Sequence, residues 1–338
     1  MKNIRDYKIA TLGSHSALQI LKGARDEGFK TMCICQKGRE YPYRSFNVAD
    51  EIIIIENFDE FSALESRLIK ENVIIIPHGS FVEYMGYENL KKLKVNYYGT
   101  KEILEWESDR TQERMWLTDA GLKMPDVLAT PEDIDRPVII KFHGAGGGKD
   151  YFIANNSEEF YEGIGKYKNT KKYVIQEYIV GVPIYAHFFY SPLHDEVELM
   201  GFDKRYESNA DSIGRISAPD QIMAQIKTSY TICGNIPLVI RESLLPEFFE
   251  MGRKVIEQSK KITKKGLVGP FCLEAIVDPN LKIFVFEISA RIVAGTNPYI
   301  YGSPYTWLRY NEPMSTGRRI AREIKEAILS DALAQILD

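Results

Sequence analysis

Two glutamates sit where a carboxylate is costly. Glu274 stands in "FCLEA" between Leu273 and Ala275, and Glu287 in "VFEIS" between Phe286 and Ile288. An ionised carboxylate among apolar neighbours needs a compensating partner. The two segments alternate in polarity and are joined by "DPN", so they read as a hairpin with one acid on each strand. Acids on neighbouring strands repel each other. A divalent cation removes both costs, because magnesium takes carboxylate and phosphate oxygens together. Ion pairs with Arg291 or Lys282 are the alternative.

A second candidate lies upstream in "VIIKFHGAGGGKDYFIA", Val138 to Ala154. Lys141 closes an apolar run, and Gly144, Gly146, Gly147 and Gly148 follow. A lysine beside glycine-rich backbone suits phosphate. So many glycines carry an entropic cost that a loop closing over a ligand explains better than a free hairpin tip does. The order matches neither the Walker pattern nor G-x-G-x-x-G, and strands flank it on both sides. A third candidate is Glu177 in "VIQEYIVG", at a linker between strands. It reads either as a group facing an adenine edge or as a surface acid.

These residues need elements to hold them. "KIATLG", "KTMCICQKG", "DEIIIIENF" and "NVIIIPHGS" are short apolar runs separated by helical stretches, which gives a doubly wound α/β layer. The last two read as parallel strands buried on both faces. In "SHSALQILKGARDEG" the residues Ala17, Leu18, Leu21 and Ala24 recur at helical spacing and Gly28 closes the helix. Ligands bind such sheets beyond the carboxyl ends of the strands, which points to Gly13–Ser16 and Pro77–Phe81. "KEILEWESDRTQERMWLTDAGLKMP" reads as one helical stretch ending near Gly121. "EVELMGFDKRYES" is a strand. "SLLPEFFEMGRKVIEQSKKI" is a helix with Phe248, Met251, Val255 and Ile262 on one side, and the terminal helix carries Ile320, Ile324, Ala327 and Ile328.

The chain has 338 residues, 44% apolar and 27% charged, as expected of a globular protein of two or three packed units. A net charge of −4 argues against a nucleic-acid partner. No apolar run approaches the roughly 18–20 residues that cross a bilayer. The start lacks a signal-peptide core, so a cytoplasmic location without a membrane partner is expected. Cys33, Cys35, Cys233 and Cys272 show no zinc or C-x-x-C spacing, and the first two are expected as buried thiols. Tyr178, Tyr185, Tyr190 and Tyr206 fall in sheet-like segments and read as core or interface, which makes a homo-oligomer the expectation.

The order of these pieces resembles the ATP-grasp fold: lysine strand, glycine loop between strands, linker with Glu177, then a hairpin with two acids. "IATLGSHSALQILKGARDEGF", "PHGSF", "KRYESN", "GNIPLVIRESLLPEFFEMG", "GPFCLEA", "FEISARIVAGTN" and "GRRIAREI" together resemble the PurP family of archaeal formate-dependent 5-formaminoimidazole-4-carboxamide ribonucleotide synthetases. The resemblance implies an N-terminal α/β domain over residues 1–110 on the nucleotide-substrate side. It implies a small lobe with a glycine lid over 111–180 and a metal-bearing lobe over 181–338. It implies a ligase using ATP, formate and 5-aminoimidazole-4-carboxamide ribonucleotide, with Mg2+ or Mn2+. His15, Ser80 and Asn235 would contact the aminoimidazole nucleotide. Lys141, Gly146, Gly147, Gly148, Glu177 and Glu207 would serve ATP, and Glu274 and Glu287 the metal. His15 is the candidate for a proton role, and Arg291 or Arg241 for formate. The glycine loop departs from the family at His143, Gly146, Lys149 and Asp150, which leaves open a related ligase with another substrate or a nucleotide-binding protein of low activity.

Overall fold

The computed structural model describes residues 3–142, 151–167, 172–226 and 228–338. Three sheets organise them. The first holds β1 (Lys8–Leu12), β2 (Lys30–Gln36), β3 (Glu51–Ile55), β4 (Val73–Ile75) and β5 (Asn96–Tyr97) in the parallel order β3-β2-β1-β4-β5. The central strands β1 and β4 are buried as their apolar runs require. The expectation for "DEIIIIENF" is corrected. β3 is an edge strand, and Ile54 is exposed on it. An apolar run alone does not distinguish an edge from a centre.

The second sheet holds β6 (Val127–Leu128), β7 (Val138–Phe142), β8 (Tyr151–Ala154) and β9 (Tyr173–Glu177) in the antiparallel order β6-β9-β7-β8. β7 and β8 pair from Val138–Ala154 to Lys141–Tyr151, so the strands flanking the glycine loop form a hairpin. His143, Gly146, Gly147, Gly148, Lys149 and Asp150 lie outside the described residues. This sheet has a core of its own around Val138, Ile140, Phe142, Phe160 and Ile175.

The third sheet holds β10 (Val182–Ser191), β11 (Glu196–Glu207), β12 (Ile232–Leu238), β13 (Gly269–Val277) and β14 (Ile283–Ser289) in the antiparallel order β12-β11-β10-β13-β14. β12 carries Pro237, which an edge strand tolerates because one flank needs no ladder donor. One continuous core joins the first and third sheets through Phe81, Trp116, Phe188, Phe202, Phe248 and Phe271.

The stretch after β5 is two helices, Lys101–Ser108 and Arg110–Asp119, and not one. Asp109 breaks it: its backbone is extended and its carboxylate accepts from the amides of Thr111 and Gln112, at 2.8 and 2.9 Å. The long helix is Leu245–Ile262, with Phe248, Met251 and Val255 buried. The terminal helix Thr316–Leu329 buries Ile320, Ile324, Ala327 and Ile328 against the helix Ala17–Asp26. Their backbones nearly touch: a Cβ on Gly317 would lie 2.3 Å from the Gln19 carbonyl oxygen, and one on Gly23 2.2 Å from the Arg318 amide nitrogen. Only glycine fits either position.

Candidate active site

The acidic hairpin forms as β13 and β14, with Glu274 directly opposite Glu287. In an antiparallel sheet opposite residues share a face, so the register continues the row. Glu274 faces Tyr185 on β10, and Tyr185 faces Asp203 on β11. One line of polar side chains thus crosses four strands. The pairing shifts after Glu274, where Ala275 meets Val285 and Phe286 is the extra residue. Such a bulge re-aims its strand. Consecutive residues Phe286 and Glu287 consequently both line the same cleft.

Glu274 is buried and Glu287 is open to the cleft. Burial pushes the Glu274 carboxyl up to about 7, the charge of Glu287 adds to this, and Arg205 opposes it. The ion-pair partner of Glu274 is Arg205, which corrects the alternatives Arg291 and Lys282. Arg205 lies 4.0 Å above the Tyr185 ring and keeps its charge against burial through Glu274. Asp203, Arg205 and Glu207 alternate along β11, and of the three only Glu207 was expected at the site. The second carboxylate oxygen of Glu274, Oε2, is buried without a hydrogen-bond partner among the described residues. An orphaned carboxylate oxygen opposite a second carboxylate is a donor set that fits a hard divalent cation.

Two further acids hold the outer edge of β14. Glu113 Oε1 accepts from the Ile288 amide at 2.7 Å, and Glu107 Oε2 from the Ala290 amide at 2.9 Å. The break at Asp109 is what lets acids from two helices reach one strand. Burial pushes Glu113 up to about 9, with the charge of Glu287 adding. Glu107 pairs with Arg291, Nη2 to Oε1 at 2.9 Å.

The cleft itself has a volume of about 790 Å³. Lys141, Ile139, Val174 and Gln176 of the second sheet form one wall; Arg110, Glu113 and Arg114 of a helix, with Glu287, form the other. Lys141 donates to Gln176 Oε1 at 3.3 Å, and its pKa is lowered first by burial and then by Arg110. Arg110 and Arg114, one helical turn apart, were not singled out in the sequence. Their spacing is the signal that would have found them. Of the two readings of Glu177, its side chain fits the surface acid. Its carboxylate accepts from the Asp126 amide at 3.1 Å and lies 3.6 Å from Arg136 Nε, while its neighbours Gln176 and Tyr178 line the cleft. Alternation along the strand turns it away. Glu207 ends β11, its carboxyl raised by burial and by Asp211.

The loops at the ends of β1 and β4 meet beside this hairpin. His15, at φ 48°, stacks on His78 with centroids 5.7 Å apart. A Cβ on Gly79 would lie 3.1 Å from His15 Nε2 and 3.5 Å from the Arg291 guanidinium carbon, which places all three together. His15 keeps an exposed edge, yet burial of most of its ring lowers its pKa to about 4, with Arg291 and then Arg205 adding. Ser80 is buried and accepts from Ser14 Oγ at 3.1 Å. Asn235, on β12 opposite Arg205, donates its amide to Asp203 Oδ2 at 2.8 Å, and His187 holds Asp203 Oδ1 at 2.8 Å. Asn235 was expected at the site, but its buried partners Asp203 and His187 were missed because the three residues lie on three strands. Arg241 is exposed beyond β12 and makes no hydrogen bond or ion pair to the cluster among the described residues. Cys33 and Cys35 are buried as expected, and so is Cys272; Cys233 is exposed.

His78 gives a pH-dependence. It is fully buried, and burial lowers its pKa to about 3 despite its bond to the Leu12 carbonyl. The unfolded chain binds this proton below its ordinary value of 6.5, and the folded chain only near 3. Stability therefore falls as pH drops from 6.5 toward 3, by up to ~1.4 kcal/mol per pH unit for this group. His78→Gln should flatten this limb by about one proton, read from urea midpoints against pH. An unchanged slope would show that other groups set it.

A family described as a protein of unknown function, DUF1246, matches residues 9–128, and a domain of unknown function, DUF1297, matches residues 152–338. A 5-formaminoimidazole-4-carboxamide-1-(β)-D-ribofuranosyl 5′-monophosphate synthetase from Pyrococcus abyssi is 50% identical over 98% of each chain. The crystal structure of an IMP biosynthesis protein PurP from Thermococcus kodakaraensis aligns with TM-score 0.78 and 30% identity over 98% of this chain and 100% of that one. N5-carboxyaminoimidazole synthetase from Staphylococcus aureus, complexed with ADP, aligns with TM-score 0.60 and 19% identity over 86% of this chain and 72% of that one. At that identity the last likeness speaks for the fold alone, which is the ATP-grasp fold.

Proposed function

This chain belongs to the 5-formaminoimidazole-4-carboxamide ribonucleotide synthetase family, and from that premise we propose how its cleft formylates an aminoimidazole nucleotide. It is an ATP-grasp ligase of purine biosynthesis. Among the described residues no helix is long and apolar enough to cross a membrane.

Formate does not acylate an amine at neutral pH, because hydroxide is a poor leaving group. Transfer of the γ-phosphoryl group of ATP to a formate oxygen gives formyl phosphate and ADP. The 5-amino group then attacks the formyl carbon, the C–O bond to phosphate breaks, and the amine loses a proton. Lys141, Arg110 and Arg114 line the cleft as cations for the triphosphate. Glu274 and Glu287 would hold Mg2+ or Mn2+, which when bound neutralises charge on the phosphates. Arg291 and Arg205, both close enough to act on the His15 imidazole, supply positive charge for formate and the transferring phosphoryl group. His15 is neutral at pH 7, so its imidazole is able to accept the proton the amine releases. Asp203 is acceptor-only as a carboxylate, so Asn235 must turn its NH2 toward it and present its carbonyl to the nucleotide. Proximity in such a site is worth up to ~7–11 kcal/mol of barrier.

The observation that supports this reading is the unbroken row Glu287, Glu274, Tyr185 and Asp203, which puts the proposed metal acids and the partner of Asn235 on one sheet face. The test supplies ATP, magnesium, 18O-formate and 5-aminoimidazole-4-carboxamide ribonucleotide. ADP release requiring both formate and the amine, with 18O appearing in the phosphate, is the expected result. Release of ADP without formate, or phosphate free of label, would refute it.

A further inference from the structure

Beyond His15 and Ser80, hydroxyls and one guanidinium gather on the outer side of the strand ends. Gly13 makes this possible: a Cβ there would lie 2.8 Å from Cys35 Sγ and 3.1 Å from Cys33 Sγ, so only glycine lets the chain turn tightly off β1. The turn puts Ser14 Oγ 3.1 Å from Ser80 Oγ. Tyr84, on the helix Gly79–Met85, brings a third hydroxyl to the same point. Its ring is fixed by stacking on Phe58, with centroids 4.5 Å apart and planes 7° from parallel. Ser14 lowers the phenol's pKa most, with Arg39 and Ser80 adding, so all four groups meet. Arg39 leaves β2 through the turn at Gly38, φ 85°, and its Nη1 lies 3.4 Å from the Tyr84 hydroxyl. Arg39 is exposed and has no carboxylate within ion-pair distance among the described residues.

We propose that Arg39, Tyr84, Ser14 and Ser80 form the anchor for the 5′-phosphate of the nucleotide substrate. A guanidinium and three hydroxyls are all donors suited to a phosphate monoester, and the guanidinium can bind bidentately. Position gives the second argument. The reacting amine must lie by the triphosphate at Glu274 and Glu287, and a second phosphate there would be repelled. The far end of the site, past His15, is where the phosphate belongs, and it is where the free guanidinium stands. The ribose then spans His15, and the aminoimidazole faces Asn235 and Arg205. This orientation rests on the proposed function, whereas the anchor itself is measurable without turnover.

The test is calorimetric binding of ribose 5-phosphate and of ribose to the full chain, with the KM for the nucleotide measured alongside. Wild type should bind ribose 5-phosphate and not ribose. Arg39→Ala should weaken ribose 5-phosphate by roughly ten- to hundredfold and raise the nucleotide KM by the same factor, with the KM for ATP unchanged. Arg39→Lys should recover part of the loss, and Tyr84→Phe should show a smaller loss. Because Arg39 is exposed, its replacement should leave the circular dichroism spectrum unchanged. An Arg39→Ala variant with wild-type affinity, or a wild type that binds ribose equally well, overturns the anchor. Arg39-dependent binding of ribose 5-phosphate by a chain that formylates nothing would keep the anchor and overturn the function.

Discussion

Glu287→Gln should lower turnover at least about a thousandfold and leave the fold intact. A metal-bound phosphoryl transfer draws several kcal/mol from charge neutralisation, and each ~1.4 kcal/mol is a factor of ten. Glu287 is the cleaner of the two acids to change. It is open to the cleft, and no hydrogen bond of its side chain appears among the described residues, so a neutral isostere disturbs no packing. Glu274→Gln is a different experiment. It removes the ion-pair partner of the half-buried Arg205 guanidinium, so lost activity there would mix a metal effect with a structural one. Titration with Mn2+, followed by electron paramagnetic resonance, separates binding from turnover: Glu287→Gln should bind the ion more weakly. A variant that retains wild-type turnover and Mn2+ affinity would end the assignment of the hairpin as a metal site.

Trp116→Ala should be the most destabilising single change outside the site, by roughly 3–5 kcal/mol. The indole is fully buried, and its N–H donates to the Val255 carbonyl at 3.1 Å, tying the helix Arg110–Asp119 to the helix Leu245–Ile262. The same helix presents Arg110, Glu113 and Arg114 to the cleft. Loosening it should also raise the KM for ATP. Trp116→Phe keeps most of the apolar volume, so it should lose less, mainly the hydrogen bond at about 1 kcal/mol. Urea denaturation reads both. Loss below about 1 kcal/mol for the alanine variant would mean that the helix is not seated on the shared core.

Much of the scaffold was legible because its signals are local. The terminal helix declared itself by Ile320, Ile324, Ala327 and Ile328, and the acidic hairpin by two alternating runs around "DPN". The misread helix shows the limit of periodicity. Helical spacing continues through residues 101–120, and only the side chain of Asp109, capping the second segment, reveals two helices. Glu177 shows another. Its place beside a linker was right, but the pleat of β9 gives the cleft to Gln176 and Tyr178.

The sequence alone determined which chemistry the chain carries. Two acids in apolar strands and a lysine before glycines can be recognised wherever they fall, because residue type and order belong to the chain itself, whereas burial does not: Glu274 is buried and Glu287 is exposed. Tertiary structure decided who answers those charges. Arg205 reaches Glu274 from 69 residues away, Glu113 and Glu107 cap β14 from 175 and 183 away, and His187 steadies Asn235 through Asp203. Such partners are set by sheet register and helix placement, which are properties of long-range packing, and no spacing along the chain encodes them.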